Sequence, residues 1–77
     1  MKAYRYAQHL TVARFHDDGS VDIDLPAFGD FDGFRFRATL AEREAAQVAV
    51  GRSLINDTRV FEYLAVQELT RRGIEEV

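Results

Sequence analysis

An α+β fold follows from three features of the chain. Two runs alternate strictly between apolar and polar residues, Val21-Asp22-Ile23-Asp24-Leu25 and Phe34-Arg35-Phe36-Arg37-Ala38, and period two marks a half-buried strand. From Leu40 the pattern changes to helical spacing. Thr39 and Glu42, three residues apart, have the spacing of a capping box at the point of change. The expectation is a three- or four-stranded antiparallel sheet over residues 3–38, with helices at about 40–55 and 58–72 packed on one face.

The opening stretch, residues 3–16, is rich in aromatic and β-branched residues and reads as extended. Tyr4, Tyr6, Leu10 and Val12 share one parity and Phe15 takes the other, which calls for a β-bulge near Ala13 or a break near Gln8-His9. Asp17-Asp18-Gly19-Ser20 then supplies a hairpin turn, because Gly accepts the positive φ that a tight reversal requires. Pro26 has no N–H for a ladder and belongs at a strand end. In the second strand pair, Asp22 and Asp24 face the same side as Arg35 and Arg37, an arrangement suited to cross-strand ion pairs.

The first long helix presents Ala41, Ala45, Val48, Ala49 and Ile55 as its apolar side. Its small residues Ala45, Ala46, Ala49 and Gly51 allow another backbone close, and Gly51 in a helix interior costs ~1 kcal/mol relative to Ala. Asn56 or Asp57 caps the next helix, whose stripe is Val60, Phe61, Leu64, Ala65 and Leu69. Arg71-Arg72-Gly73-Ile74 ends it with cations in the last turn, Gly in the left-handed position and Ile74 folding back. Glu75-Glu76-Val77 reads as a frayed end.

Seventy-seven residues enclose one core, so residues 1–77 form a single domain. No apolar run approaches the ~20 residues of a membrane helix. The N-terminus lacks the apolar core of a signal peptide and the sequence has no cysteine, both pointing to a cytoplasmic protein without disulfides or thiolate metal sites. A fold this small relies on packing or on a second subunit, and uncovered strand edges with Tyr4 and Tyr6 suit a homodimer.

Thirteen acidic and 10 basic residues give a net charge of −3, which argues against a direct grip on nucleic-acid phosphates. Asp17, Asp18, Asp22, Asp24, Asp30 and Asp32 all fall between positions 17 and 32, so the expectation is an acidic patch. Asp30 and Asp32 with Gly33 echo part of a calcium loop, but Phe31 and Phe34 stand where oxygen ligands belong, and no metal or other cofactor is expected. His9 and His16 have only Ser20 and Ser53 as candidate serine nucleophiles, without a nucleophile elbow, zinc motif or phosphate-binding glycine loop. The expectation is a protein without catalytic residues. A base-stacking platform needs cations around its rings, whereas Phe28 and Phe31 are flanked by aspartates. Asp17, Asp18, Asp30, Asp32, Phe28 and Phe31 are therefore the candidate partner-binding residues, aromatics rimmed by charge.

Met1-Lys2, Arg5-Tyr6, His9-Leu10 and a strand ending at Gly19-Ser20 resemble the opening of small phage-encoded anti-CRISPR proteins. That resemblance implies a non-enzymatic inhibitor of a type I surveillance complex. Its partner would be the subunits that carry the guide RNA, met through acidic surface where DNA would lie. A second resemblance, carried by Asp18-Gly19, Pro26 and Thr39-Leu40-Ala41-Glu42, is to HicB-type antitoxins and implies a protein that neutralises a small RNase toxin. Residues 57–72 read as helix where that second fold has a strand.

Overall fold

The two alternating runs form the centre and one edge of a three-stranded antiparallel sheet. A computed structural model describes residues 2–74, and their side chains from Arg5 onward. The elements are α1 (Lys2–Ala7), β1 (Thr11–Phe15), β2 (Val21–Leu25), β3 (Phe34–Ala38), α2 (Leu40–Val50) and α3 (Thr58–Arg71). The strands lie in the order β1-β2-β3. Val21, Ile23 and Leu25 pair with Ala38, Phe36 and Phe34, while Asp22 and Asp24 pair with Arg37 and Arg35 on the opposite face.

β1 carries the expected bulge. Its register with β2 shifts between Val12 and Arg14, leaving Ala13 as the extra residue. The shift sets Arg14 opposite Asp22 and Phe15 opposite Val21, so the charge goes to the open face and the ring to the helix face. Phe15 then meets the edge of Phe61 on α3, with ring centroids 6.2 Å apart.

The helices cover one face of the sheet. Val21, Ile23, Ala38, Ala46, Val60, Phe61 and Leu64 make one buried cluster, and Tyr6, Ala7, Leu25, Phe31, Ala65 and Leu69 a second. Leu10 and Phe36 border both. The stripe read on α3 is the stripe that is buried.

Three local readings change. Residues 2–7 are helical, not extended. Six residues are too few to hold a helix alone; this one is held by Tyr6 and Ala7, consecutive residues that are both buried in the cluster shared with α3, which a strand with one inward face does not allow. The chain turns at residues 8–9 before β1 begins. Tyr6 is thus core and unavailable to a second subunit, and the side chain of Tyr4 lies outside the described residues, as does the expected frayed end at 75–77.

α2 ends at Val50, short of residue 55. Gly51 takes φ 70° and sends its N–H back to the carbonyls of Gln47 and Val48, so it is a C-cap, where a positive φ is an asset and not a cost. The third change is the side that α2 buries. Arg43 and Ala46 point inward, whereas Ala41, Ala45 and Ala49 are exposed and Val48 is 81% accessible. Both caps form as read: Thr39 and Glu42 complete the capping box, and Asp57 accepts from the Arg59 N–H. At the other end of α3, the Ile74 N–H bonds the Leu69 carbonyl, and the Ile74 side chain returns to the core.

Candidate protein-binding loop

The connection between β2 and β3 is built by its glycines and its two rings. Phe28 and Phe31 exchange backbone hydrogen bonds, N–H to O, at 2.8 and 2.9 Å. Gly29 between them has φ 59° and Asp30 does not have positive φ, the pattern of a type II′ reversal. Gly33 closes the loop at φ 76°, so near β2 that a side-chain carbon there would lie 2.5 Å from the Leu25 carbonyl oxygen.

The two rings then part ways. Phe31 is buried, stacked on Tyr6 at 4.4 Å and edge-on to Phe34 at 5.9 Å. Phe28 stays 37% accessible, stacked on His9 at 4.7 Å and edge-on to Tyr6. Phe31 is therefore the anchor of the loop and not a contact surface, which corrects its assignment as a partner-binding residue. Asp30 and Asp32 are exposed, and neither has an ion pair or hydrogen bond among the described residues. With Phe28 they border an open cleft of about 620 Å3, whose far wall carries Phe34 with Arg72 laid over its ring at 3.8 Å. Arg72 is also held by Glu68 at 2.7 Å.

Asp17 and Asp18 do not join them. They lie in the β1–β2 turn at the other end of β2, a five-residue strand that spans at least ~13 Å. Asp18 is occupied: its Oδ1 accepts from the Ser20 hydroxyl at 2.6 Å and from the Ser20 N–H at 2.9 Å. These two bonds hold its carboxyl below the usual range. They also commit the Ser20 hydroxyl to Asp18. Asp17 is exposed. The single acidic patch expected from the sequence is two separate acidic tips.

Between the tips, the open face of the sheet is a ladder of opposite charges. Arg35 donates to both oxygens of Asp24, from Nε at 2.5 Å and Nη2 at 3.1 Å, and Arg37 donates from Nε to Asp22 at 2.9 Å. The bonds to Asp24 raise the Arg35 pKa. His16 Nε2 lies 2.9 Å from the second oxygen of Asp22. The Asp22 carboxyl is accordingly held low, first by Arg37 and next by His16.

Two polar residues in the interior escaped the sequence reading. Arg43 and Glu68 are both buried. Neither breaks the helical pattern in a way hydropathy registers, since each is one charge among the polar positions of its helix. No cluster of three or more His, Asp or Glu side chains able to hold a metal ion occurs among the described residues. None of the described helices is long and apolar enough to cross a membrane.

No family model, curated protein or solved structure matches the chain.

Proposed function

We propose that this chain is a non-enzymatic inhibitor that docks on a cationic face of a nucleic-acid-handling protein complex through the 28–33 loop. The observation that carries the reading is the pairing, on one loop with a backbone staple between Phe28 and Phe31, of a partly exposed ring with two carboxylates that have no partner among the described residues. A turn already fixed in its bound shape loses little entropy on docking. Its carboxylates would form charge-assisted hydrogen bonds with Arg or Lys lining a groove meant for phosphates, and Phe28 would fill an adjoining pocket.

The specific form of this reading is an anti-CRISPR protein that blocks target-DNA binding by a type I surveillance complex. The loop now bears the mechanism in place of the broad acidic patch, because Asp22, Asp24 and Asp18 are engaged within the fold. The runner-up, a HicB-like antitoxin, is supported by the hairpin at Gly19, the strand end before Pro26 and the capping box at Thr39, found in that order. It is weakened by α3, which stands where that fold has a strand.

The test is a gel shift of target DNA with a type I surveillance complex, with and without the protein. Inhibition by the wild type, lost in Asp30→Asn/Asp32→Asn and kept in Asp17→Asn, supports the proposal. Undisturbed DNA binding with the wild type overturns it for that complex. Relief of a small RNase toxin by co-expression moves the assignment to the antitoxin.

A further inference from the structure

The helix layer covers β2 fully and β3 in part. Val21 and Ile23 are inaccessible, whereas Phe34 and Phe36, in the same inward rows, are only half-buried. Under β3 runs a cleft of about 640 Å3, between Phe36 and Arg37 on the strand and Tyr63, Val66 and Gln67 on the flank of α3. Among the described residues β3 is also a free edge, so alternate N–H and C=O groups along it point away from the sheet. The opposite edge, β1, is interrupted by its bulge, a feature that discourages pairing. β3 keeps unbroken register from Phe34 to Ala38.

We propose that the free edge of β3 is the seat of a fourth strand supplied by another protein, an extended segment in which apolar and acidic residues alternate. The inner edge of β3 already holds such a strand. β2, with the sequence Val-Asp-Ile-Asp-Leu, sets its two carboxylates on Arg37 and Arg35 and its apolar side chains beside Ala38, Phe36 and Phe34. Side chains of one strand serve neighbours on both sides, so the outer edge offers the same two rows.

The charges have room for a second partner. The side chains of Arg35 and Arg37 remain 62% and 58% accessible, and the hydrogen bond from Arg37 to Asp22 is made through Nε. Across the open face the rows run basic at Arg14, acidic at Asp22 and Asp24, basic at Arg35 and Arg37. An acidic fourth row continues that alternation. A second copy of β3 does not, because antiparallel pairing about Phe36 sets Arg35 opposite Arg37, and like charges directly opposed repel. Apolar residues of the incoming strand would fill the cleft over Phe36, Tyr63 and Val66, the addition of a strand beside a helix-walled groove.

The probe is a synthetic peptide carrying the sequence of residues 20–26, titrated into the isotope-labelled protein and followed by amide chemical shifts. Saturable shifts are expected for residues 34–38 and 63–71. A peptide with lysine at both aspartate positions should bind about tenfold more weakly, since two attractive cross-strand pairs become repulsive ones. Gln67→Trp, which fills the cleft from the exposed side of α3, should abolish the shifts. The absence of saturable shifts, equal binding of the lysine peptide, or shifts confined to β1 would each overturn the proposal. So would a homodimer that Gln67→Trp disrupts, because the seat would then belong to a second copy.

Discussion

Arg43 donates from Nη1 to the carbonyl of Gly19 at 2.6 Å, tying α2 to the β1–β2 turn, 24 residues earlier in the chain. Its Nη2 donates to the side-chain oxygen of Asn56 in the loop before α3, and the guanidinium faces the rings of Phe15 and Phe61 at 5.4 and 5.9 Å. One buried cation thus joins the hairpin, two helices and the loop between them. Among the described residues its Nε is without a partner and no carboxylate is bonded to the guanidinium, so the planar group is held by carbonyl-type oxygens and ring faces.

Arg43→Met keeps the length of the side chain and leaves the oxygens of Gly19 and Asn56 unmet. A loss of about 2–4 kcal/mol is expected, since hydrogen bonds from a charged donor contribute ~1.5–3 kcal/mol each. Arg43→Lys should recover only part of it, because an ammonium cannot span both acceptors in one plane. Urea unfolding of the three proteins measures this; a Met variant within ~0.5 kcal/mol of wild type, the range of ordinary surface changes, would show that the strut is dispensable.

Asp22 links stability to acid. Its hydrogen bonds from Arg37 and His16 depress the folded-state pKa, so protonation favours the unfolded chain. The contribution is fully present above the unfolded value of about 3.9 and is lost as pH falls through the folded one. Asp22→Asn should therefore lower the melting temperature at pH 7 and flatten its decline below about pH 4. An unchanged acid limb in the variant would assign acid sensitivity to other carboxylates, of which Asp18, also depressed by Ser20, is the first to examine.

Gly29 and Gly33 both have positive φ, but only one is crowded. A methyl group at Gly29 meets nothing within 4 Å, whereas at Gly33 it would strike the backbone of Leu25, Pro26 and Ala27. Gly29→Ala should cost about 1–2 kcal/mol, the left-handed penalty alone. Gly33→Ala should cost more than ~3 kcal/mol, because backbone cannot move aside as a side chain can. Thermal melts of the two variants compare them directly, and equal losses would contradict the closure described for this loop.

Local chemistry made much of this fold legible before any coordinates. Alternation gave β2 and β3 with their inward rows, the parity change at Phe15 gave a bulge near Ala13 as one of two alternatives, and Thr39 with Glu42 gave the start of α2. Each of these signals is carried by residues within a few positions of one another, where steric and hydrogen-bonding preferences act without help from the rest of the chain. The pairing of Asp22 and Asp24 with Arg37 and Arg35 was legible for a related reason: once strands are antiparallel neighbours, the pleat decides which rows meet.

What remained was decided by contacts between distant segments. Residues 2–7 are helical because Tyr6 finds Phe31 and the α3 surface, and no local preference of a six-residue segment could have settled that. α2 turns Val48 to solvent and Arg43 inward because two oxygens from the Gly19 turn and Asn56 wait there; hydropathy counts the charge and cannot count its partners. The acidic cluster divides for the same kind of reason. Asp17, Asp18, Asp30 and Asp32 are close in sequence, but β2 holds their loops at opposite ends, and only Asp30 and Asp32 share a loop with an exposed ring. The sequence by itself determined the strands, caps and charge ladder, where neighbours along the chain or across one ladder supply the energy. The tertiary structure decided which face of α2 is buried, whether Phe31 is anchor or contact, and which carboxylates stay free, because those depend on distances that the chain sets only when it closes on itself.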